Sequence, residues 1–154
     1  MTWGPGARFG ILASIMKPSL LYRIASILLV LFAVGHTLGF RQVDPKWGID
    51  SLIQSMRSVH FNANGFERTY WDFFVGFGLF VTALMLLASA VSWQLGSLPA
   101  ATLASMRISA WGFVLCFAFV AFLSWRYFFL VPVIFSIAIF VCLALAAWLS
   151  GASR

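Results

Sequence analysis

Charged residues are scarce in this sequence of 154 residues. Aspartate and glutamate together number 4, lysine and arginine number 10, and charged residues make up 9% of the chain. A soluble domain contains about a quarter charged residues and could not bury the hydrophobic fraction of 62% found here. The low charge therefore excludes a soluble globular protein, and the high hydrophobicity excludes a disordered one. Together they predict an integral membrane protein.

Residues that form cross-links or bind metals are equally scarce. The 2 cysteines, Cys116 and Cys142, fall in the middle of different apolar runs, where neither a structural disulfide nor a metal site is expected. The 2 histidines are His36 and His60. Axial ligands of haem usually lie on facing spans, and His60 falls outside the predicted spans, which disfavours a haem site. We therefore predict no metal site.

Four long apolar runs predict four membrane-spanning helices. They cover about 19–40, 70–92, 106–125 and 127–149. Strands of a membrane barrel are about ten residues long and alternate in polarity, which these runs do not. The predicted fold is an all-α, polytopic four-helix bundle forming a single membrane domain over residues 1–154. The very short third connection predicts that the third and fourth helices are antiparallel neighbours.

The first loop has a helical pattern of its own. Leu52, Ile53, Met56 and Val59 recur at helical spacing, with polar residues between them. This pattern predicts a short amphipathic helix over about 51–60 that lies flat on the membrane, with Asp50 as its N-cap.

Polar residues gather on the side of the bundle that holds this first loop. All four acids and both histidines fall there, and ionisable groups in a membrane protein suggest a functional site. The candidate ligand-binding cluster consists of His36, Arg57, His60, Asn64, Glu67, Arg68, Asp72, Arg126 and Tyr127.

A purely structural interpretation of the same residues is equally open. Asn64 and Glu67 have the spacing of a capping box at the start of the second span. Arg68 and Asp72 are four residues apart and could pair on one helix face. Gly35 and Gly39 have a spacing that allows close packing of the first helix.

The number of basic residues on each side of the membrane gives little information about the orientation of the chain. An even number of spans puts both termini on one side, and the 10 basic residues divide equally between the two sides. Because the flank before the first helix is basic, with Arg8, Lys17 and Arg23, we expect cytoplasmic termini. The basic residues are scattered rather than clustered, so the expected partner is the lipid bilayer and not a nucleic acid.

The segment from Arg57 to Glu67 resembles the MAPEG family of small four-helix membrane enzymes. Arg57 is followed by Asn64 and Glu67 in the family's pattern of an arginine and then Asn-x-x-Glu at the start of the second span. Arg126 resembles the catalytic arginine, whereas His60 replaces an arginine and Tyr127 is displaced from the family's tyrosine. The resemblance implies a trimeric, glutathione-dependent transferase with a cytoplasmic first loop.

A second resemblance covers residues 60–78 and concerns uncharacterised bacterial four-span proteins. It implies a shared fold and a location in the bacterial inner membrane, and no activity.

Three functional hypotheses follow. The first, which we favour, is a non-enzymatic protein that serves as an accessory subunit of a membrane complex or homo-oligomer, or that binds lipids or a lipophilic ligand. The second is the glutathione-dependent transferase. The third is transport or proton relay through His36 and Asp72.

Overall fold

The computed structural model describes residues 17–152 and is 82% helical. The start of the basic tail, including Arg8, and the terminal Arg154 lie outside the described residues. Within residues 17–152, four helices are long and apolar enough to cross a membrane, which confirms an all-α integral membrane protein. They are α1 (Pro18–Gly39), α3 (Tyr70–Ser97), α5 (Arg107–Tyr127) and α6 (Leu130–Ala152).

The second span ends later than its hydropathy predicts. The apolar run predicts an end at about residue 92, whereas Gly96 lies inside α3 and the helix ends at Ser97, two residues before Pro99. A side chain at Gly96 would meet a close neighbour, because a Cβ there would lie 2.8 Å from the carbonyl oxygen of Ser19. The glycine therefore permits close approach between α1 and α3 without ending the helix.

Short helices occupy both longer loops. A 3-10 helix at Pro45–Trp47 precedes the amphipathic helix α2 (Asp50–Ser58), and α4 (Ala100–Ser105) lies in the second loop. The predicted amphipathic helix is confirmed, although it ends at Ser58. The N-cap prediction for Asp50 is wrong, because Asp50 is the first helical residue and Ile49 is the N-cap. The carboxylate of Asp50 still lies at the positive end of the helix.

A β-hairpin connects α2 to α3. Strand β1 (His60–Ala63) pairs antiparallel with β2 (Phe66–Thr69), in a register that places Ala63 opposite Phe66. The two residues between the strands have positive φ, 52° at Asn64 and 92° at Gly65. This is the geometry for which Asn-Gly is preferred in two-residue hairpin turns. The predicted capping box of Asn64 and Glu67 is therefore wrong, since both residues belong to the hairpin.

The true capping box of α3 lies five residues further along the chain. The backbone N–H of Thr69 donates to Asp72 Oδ2 at 2.8 Å, and the N–H of Asp72 donates to Thr69 Oγ1 at 3.2 Å. These reciprocal bonds satisfy two of the free donors at the helix start. Arg68 lies on β2, so the prediction that it faces Asp72 on one helix is also wrong.

The chain divides into two compact units, whose boundaries fall within α1 and α3. We call the described residues 17–32 and 87–152 the core unit, and residues 33–86 the loop-side unit.

The core unit contains α5 and α6 in mutual contact. Only two residues, Phe128 and Phe129, separate these helices. The contact between them confirms the prediction that they are neighbours.

Hydroxyl groups join α1 to α3 in the core unit. Ser26 Oγ donates to the Ser89 carbonyl at 2.9 Å, and Ser89 Oγ donates to the Ser26 carbonyl at 3.0 Å. One turn later in α3 and one turn earlier in α1, Ser92 Oγ donates to the Tyr22 carbonyl at 2.7 Å.

Candidate functional site

A polar cavity of about 500 Å³ opens in the loop-side unit. We call it the first-loop cavity. Its polar lining is Arg41, Asp50, Gln54, Arg57 and Ser58, and its apolar lining is Val43 and Ile53. Five of these seven residues belong to α2 and share one face, because their spacings of three, four, seven and eight residues follow the helical repeat. The amphipathic helix therefore presents one charged face to the cavity.

Both arginines of this cavity lie beside aromatic rings. The Cζ atom of Arg57 is 4.1 Å from the ring centroid of Trp71, and the Cζ atom of Arg41 is 5.3 Å from the centroid of Phe40. A cation over an aromatic face is attracted by the ring quadrupole. A guanidinium held in this way keeps the N–H groups along its edge for another partner.

Aromatic contacts attach the hairpin to the start of α3. The ring of Phe61 lies 5.0 Å from that of Tyr70 and stacks on Phe73 at 5.8 Å with an interplanar angle of 9°. The turn is closed by a side chain, since the Gly65 N–H donates to Asn62 Oδ1 at 2.7 Å. The hairpin is thus ordered by local contacts.

The charged residues of the hairpin are Glu67 and Arg68, and Arg68 contacts neighbours on its own strand. Arg68 Nη1 donates to the carbonyl oxygen of Glu67 at 2.7 Å, and its Cζ atom lies 5.3 Å from the ring centroid of Phe66. Glu67 stands opposite Asn62 in the strand register, and both are exposed.

Each histidine interacts with a backbone carbonyl. His36 Nε2 lies 3.0 Å from the Gly78 oxygen, and His60 Nδ1 lies 3.0 Å from the Ser58 oxygen. A carbonyl can only accept, so the nitrogen in each contact carries the hydrogen. His36 also stacks on Phe40 at 5.0 Å. A Cβ at Gly78 would overlap the Phe40 ring, so this glycine allows α1 and α3 to approach each other in the loop-side unit.

Asp72 is engaged in the capping box, where its Oδ2 accepts from both the backbone N–H and the hydroxyl of Thr69. It also borders a shallow apolar groove of about 230 Å³. The groove is lined by Arg68, Asp72, Phe73, Gly76, Phe77 and Phe80.

Arg126 and Tyr127 belong to the core unit and form the last turn of α5. The Cζ atom of Arg126 lies 5.2 Å from the ring centroid of its neighbour Tyr127, and both residues are exposed.

Of the nine predicted site residues, Arg57 lines the first-loop cavity. The remaining lining residues were not predicted. A signal for part of the set was present, because Asp50, Gln54 and Arg57 follow the helical repeat on the polar face of α2. Arg41 has no such signal, since it comes from the segment after α1 and reaches the cavity through tertiary structure.

Comparison with family models, curated proteins and solved structures finds no match to this chain.

Proposed function

We propose that this chain is a small bacterial inner-membrane protein that binds the phosphate-bearing headgroup of a lipid in the first-loop cavity. The observation that carries the proposal is the pair of guanidinium groups, Arg41 and Arg57, lining one cavity of about 500 Å³. Arginine presents a planar fork of N–H donors that matches phosphate oxygens. The proposed activity is binding, and no chemical step is included.

The surroundings of the cavity support a lipid rather than a soluble anion. Trp47, Leu52, Val59 and Phe66 are large apolar side chains exposed on the same unit, each with more than half of its surface accessible. Such residues beside basic side chains are typical of a segment lying at the headgroup level of a bilayer. A lipid would then place its phosphate in the cavity and its acyl chains in the adjacent bilayer.

Native mass spectrometry in mild detergent tests the proposal through retention of added phospholipid. The variant Arg41→Ala/Arg57→Ala should lower retention about tenfold or more, since a charge-assisted contact to phosphate contributes on the order of 1.5–3 kcal/mol. The matched control is Lys46→Ala/Arg68→Ala. It removes the same charge from the same unit but leaves the cavity lining intact.

Equal losses in the two double variants would contradict the proposal, because they would show non-specific attraction to basic residues. Retention of an unrelated protein subunit instead of lipid would support the role of accessory subunit.

The proposed orientation has cytoplasmic termini and the first loop on the outer side of the membrane. It can be tested in a Cys116→Ala/Cys142→Ala background by labelling with a membrane-impermeant maleimide. Gln42→Cys should react in intact cells, and Ser97→Cys only after permeabilisation. The reverse pattern would put the first loop in the cytoplasm and favour the glutathione-dependent alternative.

A further inference from the structure

The first-loop cavity contains an acid as well as two bases. Asp50 lines it together with Arg41 and Arg57. A site for a purely anionic headgroup gains nothing from a carboxylate, which repels phosphate and weakens the attraction of the arginines. The mixed lining therefore matches a ligand that carries both signs of charge.

The negative and the positive side chain of α2 lie at opposite ends of this helix. Asp50 is its first residue and Arg57 lies in its last turn. Seven residues correspond to about 10 Å along a helix axis and return to nearly the same face. Gln54 lies between them on that face, and its amide can both donate and accept. Helix α2 thus presents to the cavity a carboxylate at its start, a guanidinium in its last turn and a neutral polar group between them.

We infer that the occupant of the first-loop cavity is an aminoalkyl phosphate headgroup, as in phosphatidylethanolamine. This inference rests on the proposed function. The arginines bind the phosphate, and the Asp50 carboxylate accepts hydrogen bonds from the primary ammonium group. Gln54 contacts the short linker between the two charges.

A different role for the same residues makes a different prediction. An acid at the N-terminus and a base at the C-terminus of a helix both stabilise its dipole. If Asp50 acts only in that way, its replacement lowers the stability of α2 and leaves the preference among headgroups unchanged. The selectivity for headgroups is therefore the quantity to measure.

The experiment measures retention of three phospholipids with the same acyl chains by native mass spectrometry of the full chain. Phosphatidylethanolamine has a primary ammonium, phosphatidylcholine has a quaternary ammonium without N–H donors, and phosphatidylglycerol has no cation. The wild-type chain should retain the first about threefold better than either of the others, as expected of a partly exposed ion pair. Asp50→Asn should abolish this preference.

The matched control is Asp44→Asn. Asp44 is in the same loop and accepts from the Lys46 N–H at 2.9 Å, but it does not line the cavity, so the preference should persist. If Asp50→Asn does not fold, the comparison of the three headgroups on the wild-type chain still tests whether an aminoalkyl phosphate is preferred.

The two proposals fail separately. Loss of retention in Arg41→Ala/Arg57→Ala with no headgroup preference in the wild-type chain would overturn the inference and leave the proposed function standing. Unchanged retention in that double variant would overturn the proposed function. Persistence of the preference in Asp50→Asn would likewise overturn the role assigned to Asp50.

Discussion

The helix pair of the core unit and the hairpin of the loop-side unit are stabilised by different kinds of contact. In the core unit, Ser26, Ser89 and Ser92 are buried and bond to residues more than sixty positions away in the sequence. In the loop-side unit, the hairpin turn and the capping box join residues within three positions of each other. The first arrangement stabilises tertiary structure, and the second fixes local shape while leaving charged side chains exposed for a ligand.

This difference predicts which substitutions will lower global stability and which will change local properties. Changes in the core unit should lower the stability of the whole chain. Changes in the first loop, the hairpin and the capping box should alter local protection or lipid retention, with little effect on Tm.

The largest effect is expected for Gly96→Ala. The new Cβ would lie 2.8 Å from the backbone oxygen of Ser19 and 3.2 Å from Tyr22 Cβ, so α1 and α3 would have to separate. Overpacking of this kind costs about 1–3 kcal/mol, measured as a lower Tm in mild detergent. The matched control is Gly112→Ala, where a Cβ has no neighbour within 4 Å. It should be neutral or stabilising, because alanine favours helix more than glycine does.

The second effect, Gly65→Ala, should be local. Its φ of 92° disfavours any residue with a Cβ, at a cost of about 1–2 kcal/mol. Hydrogen–deuterium exchange should become faster at the strand pairs of the hairpin, whereas Tm should stay near the wild-type value. Asn64→Gly is the control, since glycine accepts the positive φ of that position. A fall in Tm as large as that of Gly96→Ala would remove the distinction between the units.

The third effect concerns the capping box. Thr69→Ala removes the hydroxyl that accepts from the Asp72 N–H, and loss of such a cap costs about 1 kcal/mol. Amide exchange should accelerate in the first turn of α3. Thr69→Ser keeps the hydroxyl and should restore protection; if it does not, packing of the buried Thr69 methyl group is the stabilising contact.

The smallest effect is expected for the serine pair of the core unit. Because Ser26 Oγ and Ser89 Oγ also lie 2.9 Å apart, a double-mutant cycle of Ser26→Ala and Ser89→Ala should give a coupling free energy of about 0.6 kcal/mol, typical of hydrogen bonds between membrane helices. Unfolding by sodium dodecyl sulfate provides the measurement. Ser97→Ala is the control, because Ser97 donates within its own helix to the Trp93 carbonyl. A coupling near zero would mean that the two hydroxyl groups do not bond to each other, and that each donates to the facing backbone carbonyl instead.

The spans could be predicted because hydrophobicity over about twenty residues is a local property that the bilayer requires. The hairpin was missed because Asn64, Gly65 and Glu67 satisfy two patterns at once, a helix cap and a two-residue turn. Its strands are only four residues long, and β2 contains Glu67 and Arg68, so no apolar alternation revealed them.

Helix contacts were harder to predict than helices. The spacing of Gly35 and Gly39 allows close packing, but a Cβ at either glycine has no neighbour within 4 Å in this chain. Among the glycines that the structure describes, those at close approaches are Gly78 and Gly96. Spacing within one helix does not tell which face meets another helix, and Arg41 was missed in the candidate site for the same reason.

The two-residue connection between α5 and α6 has a consequence for biogenesis. Phe128 and Phe129 span at most about 7 Å, far less than the roughly 30 Å of the hydrocarbon core. In the proposed orientation, with cytoplasmic termini, α5 runs outward through the bilayer and α6 begins on the far side. So short a connection predicts that the two helices enter the membrane together as one helical hairpin, which would carry Arg126 across the bilayer in a single step.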